Sequence, residues 1–298
     1  MSFGQHFERY AVLARAAGKA ESTIRTELKC HRTLWIFLDD MGFEGTEVDV
    51  RKADLEQYAQ WVNWLPNLRE TTKGTRLKAI RPFYNEAVRR EWMLVNPMED
   101  ITQPKSSEPP VITLSVEQIK ALVSQPDLDT GTGIRDRAML ELLFSCVFRR
   151  SELLALTRND FSDDLREVRF TGKGGKEAVL PVSKHAAHFL SFYLAEMWSR
   201  INVRGLPQLW LAFKTGRPIC AGQLERLVRN YGQQAGIVHP VTPHAFRYSL
   251  ATILSDDGAQ VKHIKEYLRH DFVNTTLRYI KKSFKQLQEV HRASHPRA

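Results

Sequence analysis

The chain is mainly α-helical by its sequence: an N-terminal helical bundle followed by a C-terminal α-rich domain that holds one small antiparallel β-sheet. Three observations predict this. Apolar residues recur at helical spacing along most of the chain. The period changes to strand-like alternation only over 167–170 and 178–182, on either side of TGKGGKE. Between the two parts lies TQPKSSEPP at 102–110, a polar stretch with three prolines and two serines. Proline fixes φ, removes a donor and pushes the preceding residue to extended geometry, so this stretch reads as an exposed linker. With 298 residues the chain has room for two domains, on a prior of roughly 100–200 residues each. The domains are placed at 1–103 and 111–298.

In the first domain a helical pattern covers 10–38, with a break at Gly18–Lys19. A second helix is expected over 50–64, after the turn around Gly42–Gly45, and a third over 70–91, striped by Leu77, Ile80, Tyr84 and Ala87. From Arg69 to Arg90 seven basic residues oppose two acidic ones, a local charge of +5. A solvated helix face mixes signs, because opposite charges at i,i+4 support each other. An unbalanced basic face suits phosphate contact, and Lys73, Arg76, Lys78 and Arg81 are the candidates for it. A merely solvated basic face is the alternative.

The second domain opens with a helix over 115–125, capped by Ser115 with Glu117 in the first turn. Helices over 136–144 and 150–156 flank a short break. The two alternating runs joined by TGKGGKE form a hairpin. Helical patterns then return over 186–198, 221–235, 245–257, 261–268 and 283–291.

Composition excludes several classes. The 43 basic and 34 acidic side chains leave a net +9, with an isoelectric point near 9.5, which favours a polyanionic partner. No apolar run reaches the roughly 18–20 residues that span a bilayer, so no membrane association is expected. The N-terminus MSFGQHFERYAV has neither a basic leader nor an apolar stretch, which reads against a secretory signal. Cys30, Cys146 and Cys220 are odd in number and far apart, forming neither a zinc pair nor a disulfide framework. A cytoplasmic setting without cofactor or structural metal is expected.

The polar residues of the second domain suggest a site. Arg149 starts a helix in FRRSELLAL, and Lys173 lies in the glycine-rich turn. His244 and Arg247 form H-x-x-R at a helix start. His270 and Tyr279 follow IKEYL, nine positions apart. Each signal alone is weak, but together they are the set that cleaves a phosphodiester without metal. Tyrosine attack on phosphorus builds charge on the non-bridging oxygens, which two arginine forks neutralise. A histidine accepts the phenolic proton, whose unperturbed pKa is about 10, and a lysine on the turn protonates the departing sugar oxygen.

At these residues the sequence resembles the tyrosine recombinase (phage integrase) family, near its Xer-like branch. FRRSELLAL matches the first arginine box and VRFTGKGGKEAVLPV the hairpin lysine. TPHAFRYSLATILSDDGA matches the H-x-x-R helix and IKEYLRHDFVNTTLRYI the second histidine and tyrosine. The bundle ending in RPFYNEAVRREWMLVNP resembles the family's core-binding (SAM-like) domain. The resemblance implies that Arg149 and Arg247 clamp the scissile phosphate, Lys173 is the general acid, and His244 and His270 assist proton transfer. Tyr279 is implied as the nucleophile, and Glu152 is either an orienting carboxylate or a plain helix-surface one.

It further implies a site-specific recombinase that cleaves and rejoins duplex DNA through a 3′-phosphotyrosyl intermediate and a Holliday junction. The partners implied are double-stranded DNA and a homotetramer, or a heterotetramer with a related recombinase. A tail helix over 283–291, with Phe284, Leu287 and Val290 as its apolar face, would dock on a neighbouring protomer. Three residues depart from the family pattern: Val147 and Arg269 stand at usual glycines and Tyr248 at a common histidine. A type IB topoisomerase, a catalytically inactive DNA-binding regulator and a metal-dependent nuclease are the competing readings.

Overall fold

The structure is a computed structural model that describes residues 4–101, 112–172, 175 and 177–269. Contacts divide the chain into two compact units, Met1–Pro109 and Pro110–Ala298. The predicted linker falls at this division, and residues 102–111 lie outside the described residues.

The described residues of unit 1 form a four-helix bundle of α1 (Gln5–Ala16), α2 (Glu21–Asp40), α3 (Lys52–Trp64) and α4 (Glu70–Arg89). Its core joins Phe7, Tyr10, Ile24, Leu34, Tyr58, Leu77, Ile80 and Phe83, each less than 5% exposed. The expected break at Gly18–Lys19 is present: Gly18 takes φ +76, a backbone position that costs a glycine nothing. Tyr10 and Lys19 converge on the buried Glu27, with Tyr10 Oη and Lys19 Nζ donating to its carboxylate at 2.8 and 2.9 Å. His31 is fully buried among Phe7, Phe83 and Tyr84.

Unit 2 contains α5 (Val116–Val123), α6 (Gly131–Cys146), α7 (Arg150–Ala155), β1 (Glu167–Thr171), β2 (Glu177–Pro181) and α8 (Lys184–Tyr193). A π turn (Leu194–Trp198) carries α8 into α9 (Ser199–Ile201). The unit continues with α10 (Ala221–Gln234), α11 (Pro243–Asp256) and α12 (Val261–Leu268). The strands pair antiparallel with Val168 opposite Leu180 and Phe170 opposite Ala178. Val168, Phe170 and Leu180 turn inward and the intervening residues outward, as the two-residue period requires.

Helix α6 is the centre of unit 2. It is buried over most of its surface, through Ile134, Ala138, Met139, Leu140, Leu142 and Leu143, so it reads as a core helix. It begins five residues earlier than the apolar pattern alone indicates. The first turn, Gly131-Thr132-Gly133, has poor helix propensity but close neighbours: a Cβ on Gly133 would collide with the Asp127 carbonyl, and one on Gly131 with Phe213. The Thr130 hydroxyl caps this turn by accepting from Gly133 N at 3.0 Å. The charged residues inside α6 are paired: Arg135 Nη2 lies 2.6 Å from Asp136, which also accepts from Tyr231 Oη at 3.0 Å, and Arg137 pairs with Glu141 at 3.0 Å.

The three cysteines are free thiols, two of them buried. Among the described residues no helix is long and apolar enough to cross a membrane, and no cluster of His, Cys, Asp and Glu has the shape of a metal site.

Candidate active site

The site is built on the α6–α7 break. Helix α6 ends at Val147, which takes the left-handed conformation (φ 46, ψ 40) while fully buried. A β-branched residue is rarely found there. It packs with Ala251, Ile264 and Leu268 in a small cluster between α11 and α12. The next residue, Phe148, is 1% exposed and meets Phe170 of β1 edge to face at 5.0 Å. These two anchors turn the chain so that Arg149 becomes the N-cap of α7. Trp210 holds α7 from behind, donating from Nε1 to the Leu153 carbonyl at 2.8 Å.

Arg247 sits one turn into α11, 3% exposed, and donates from Nη1 to the Val147 carbonyl at 2.8 Å. The carbonyl freed by the left-handed turn is therefore what ties the second arginine to the first. Helix α11 starts with Pro243, pre-set in φ for a first turn. Ser249, on its buried face, accepts from Leu114 N at 2.7 Å, fixing α11 to the start of the unit. His244 projects from the first turn of α11, and its ring lies parallel to that of Tyr248 at 6.0 Å. The packing around its ring, then the charges of Arg247, Arg150 and Arg149, lower its pKa below the ordinary histidine value. It is therefore neutral at pH 7 and able to accept a proton.

Glu152 is the one carboxylate of this cationic cluster among the described residues. It is 6% exposed and accepts from Arg149 N at 2.8 Å, Arg149 Nη1 at 2.6 Å and Arg269 Nη2 at 2.7 Å. Burial by itself would raise its pKa. The Arg149 N–H, the Arg269 charge and the Arg149 side chain together outweigh burial and hold it below the usual carboxylate range. Of the two readings of Glu152, the orienting carboxylate is the one the geometry matches. Arg149 Nη2 also donates to the Arg269 carbonyl at 3.0 Å.

Arg149, His244 and Arg247 thus lie around one turn, while Lys173, His270 and Tyr279 lie outside the described residues. Strands β1 and β2 do flank the position of Lys173 on both sides. Of the basic candidates in unit 1, Lys73 is corrected. It is 8% exposed, its ammonium donates to the Asn63 carbonyl at 2.7 Å and it pairs with Glu70 at 2.9 Å, closing the end of α3. Charge counting along α4 misses this, because it takes no account of which face packs. Arg81 commits Nη2 to the Ile101 carbonyl at 3.1 Å. Lys78 is exposed and Arg76 half-buried.

Residues 113–286 match the model of the phage integrase family. The chain belongs to that family. It is 36% identical over 231 residues to the tyrosine recombinase XerC of Myxococcus xanthus, covering 76% of this chain and 77% of that protein. Against XerC 2 of Ralstonia nicotianae the identity is 31% over 299 residues, 98% of this chain and 84% of the relative. The XerH recombinase in its post-cleavage complex with a palindromic difH substrate shares the fold, with a TM-score of 0.71 at 18% identity, over 98% of this chain and 84% of that one. The protein is a tyrosine recombinase of the Xer and integrase type, an enzyme that cleaves and rejoins DNA.

Two departures from the family's motifs acquire a structural meaning. Val147 and Arg269 both stand where a glycine is usual, and both adopt the left-handed backbone, with φ 46 and φ 53. The turns that glycine favours are kept without it. No sequence motif announces what Arg269 then does with its side chain: the guanidinium bonds Glu152 and lies over the Phe170 ring at 4.7 Å. The only signal in the sequence was a long cation in place of a glycine.

Proposed function

We propose that this recombinase exchanges strands at a specific DNA site through a 3′-phosphotyrosyl intermediate, with Tyr279 as nucleophile. The observation that carries this reading is the grouping of Arg149, Arg247 and a neutral His244 around the Val147 turn, with Arg149 held by the buried Glu152 carboxylate and Arg247 by the Val147 carbonyl. The two guanidinium groups bind the non-bridging oxygens of the scissile phosphate and meet the charge that grows there on attack. The Tyr279 oxygen bonds to phosphorus as the bond from phosphorus to the 5′ oxygen breaks. The phenolic proton passes to a histidine, His244 or His270, and Lys173 delivers one to the departing 5′ oxygen. The phosphotyrosyl ester keeps the energy of the broken bond, so a 5′-hydroxyl from the partner strand reverses the step without ATP or metal.

The assembly proposed is a tetramer on two DNA sites, formed by this chain alone or with a related recombinase, and joined by its C-terminal segment. Unit 2 has a groove of about 730 Å³, lined by Ile119, Val123, Phe144, Val182, Leu250 and Tyr267. Its apolar lining supports a seat for Phe284, Leu287 and Val290 of a neighbouring protomer. The test is a reaction of two DNA fragments carrying a site recovered by binding selection from the chromosome. Holliday junctions and a tetramer by light scattering are expected. Relaxation of supercoils by a monomer, with no junctions, would replace this reading by a topoisomerase.

A further inference from the structure

We infer that Arg269 is a positioning residue for the cleavage step, built into the site in place of a backbone glycine. The inference rests on the reading of Arg149 as a phosphate ligand. Arg269 caps α12 in the left-handed conformation, φ 53 and ψ 49, which an arginine adopts only at some steric cost. Three contacts accompany that conformation. Its Nη2 donates to Glu152 Oε2 at 2.7 Å, its carbonyl accepts from Arg149 Nη2 at 3.0 Å, and its guanidinium lies 4.7 Å from the centre of the Phe170 ring. The side chain is 14% exposed, and its Nε and Nη1 find no hydrogen-bond partner among the described residues.

These contacts connect the three segments that the reaction needs in register. Glu152 fixes the Arg149 fork, Phe170 lies on β1 three residues before Lys173, and Arg269 itself immediately precedes His270. Among the described residues the Arg269 guanidinium is given to Glu152 and the Phe170 ring, so its part is to hold other groups in place. It acts through Glu152, which must stay ionised to accept from Arg149 at both backbone and side chain. A carboxyl that is protonated gives up one of those acceptors and presents a donor to a cation.

Among the described residues the groups that face Glu152 are Arg149 and Arg269 by direct contact, with His244 near enough for its charge state to respond to Glu152. Arg150 is engaged elsewhere, paired with Glu225 of α10. Without Arg269 the carboxylate keeps Arg149 as its one direct cation among the described residues. Its pKa then rises, because burial is opposed by fewer charges.

The experiment measures single-turnover cleavage of a nicked suicide substrate from pH 5 to pH 8 by the parent, Arg269→Gly, Arg269→Lys and Glu152→Gln. Glycine is at ease at φ 53, so Arg269→Gly keeps the turn. Its cleavage rate is expected to fall about tenfold at pH 7.5, near the value of one charge-assisted hydrogen bond. The loss should deepen towards pH 5, with DNA affinity unchanged. Arg269→Lys should recover the acid limb of the parent, and Arg269→Gly should add nothing in the Glu152→Gln background. A parental rate and pH profile in Arg269→Gly would overturn the inference, as would full additivity with Glu152→Gln. Failure of the parent itself to cleave would instead refute the proposed function. If Arg269→Gly unfolds, the Arg269→Lys profile decides: an acid limb shifted upward from the parent's overturns the role assigned to the charge on Glu152, and an unshifted one sustains it.

Discussion

Replacing Glu152 by glutamine isolates the carboxylate charge while keeping its shape. In the parent this group is 6% exposed and meets two guanidinium groups at 2.6 and 2.7 Å and a backbone N–H at 2.8 Å. The amide retains one acceptor and turns its NH2 towards one of the cations. Hydrogen bonds to charged groups contribute about 1.5–3 kcal/mol each and neutral ones about 0.5–1.5. Losing one charged bond outright and weakening the other therefore costs about 2–4 kcal/mol, consistent with the ~3–5 kcal/mol seen when one partner of a buried pair is removed. For a unit of this size that lowers the melting temperature by roughly 4–15 °C. Scanning calorimetry at pH 7 checks it.

The sign of the pH dependence follows from the depressed pKa of Glu152. Its contribution is complete above the unfolded value, about 4.3, and is lost as pH falls through the lower folded value. The gap between parent and variant should therefore narrow near pH 3. A Glu152→Gln protein that melts within 1 °C of the parent at pH 7 would refute the reasoning.

Three further outcomes are expected. Lys173→Ala should bind DNA normally but cleave slowly, and a 5′-bridging phosphorothioate, whose leaving group needs no proton, should restore it; no rescue means Lys173 is not the acid. Removing Lys78 and Arg76 should each lower the salt slope of DNA binding by about 0.9, whereas Lys73→Ala should cost stability and leave the slope alone. Equal slope changes at all three positions would show that the buried Lys73 contact is wrong. His31, fully buried and held neutral by desolvation, has its pKa far below the ordinary value. Its stabilising contribution is complete above about pH 6.5 and declines by up to ~1.4 kcal/mol per pH unit below it, so His31→Phe should flatten the acid side of the unfolding curve.

The parts of the fold that were legible in the sequence are those set by local chemistry. Ser115 caps α5 as its position suggests, accepting from Gln118 N at 3.2 Å. The hairpin follows from alternation around a glycine-rich turn. The start of α6 was not legible, because Gly131 and Gly133 are there to clear Phe213 and the Asp127 carbonyl, and no neighbour in sequence reports that crowding. The same holds within the site. Arg149 and the H-x-x-R pair carry a motif that can be read directly, whereas the bond from Arg269 to Glu152 spans 117 residues and depends on a left-handed backbone. Lys73 shows the converse error: a charge count sees a cation, and packing makes it a cap.

A covalent adduct on nicked suicide DNA in EDTA, resolved on a denaturing gel, decides whether Tyr279 is the nucleophile. A protein–DNA band at the 3′ phosphate is expected with the parent and none with Tyr279→Phe. An undiminished band from Tyr279→Phe, or none from the parent on its own site, would contradict it.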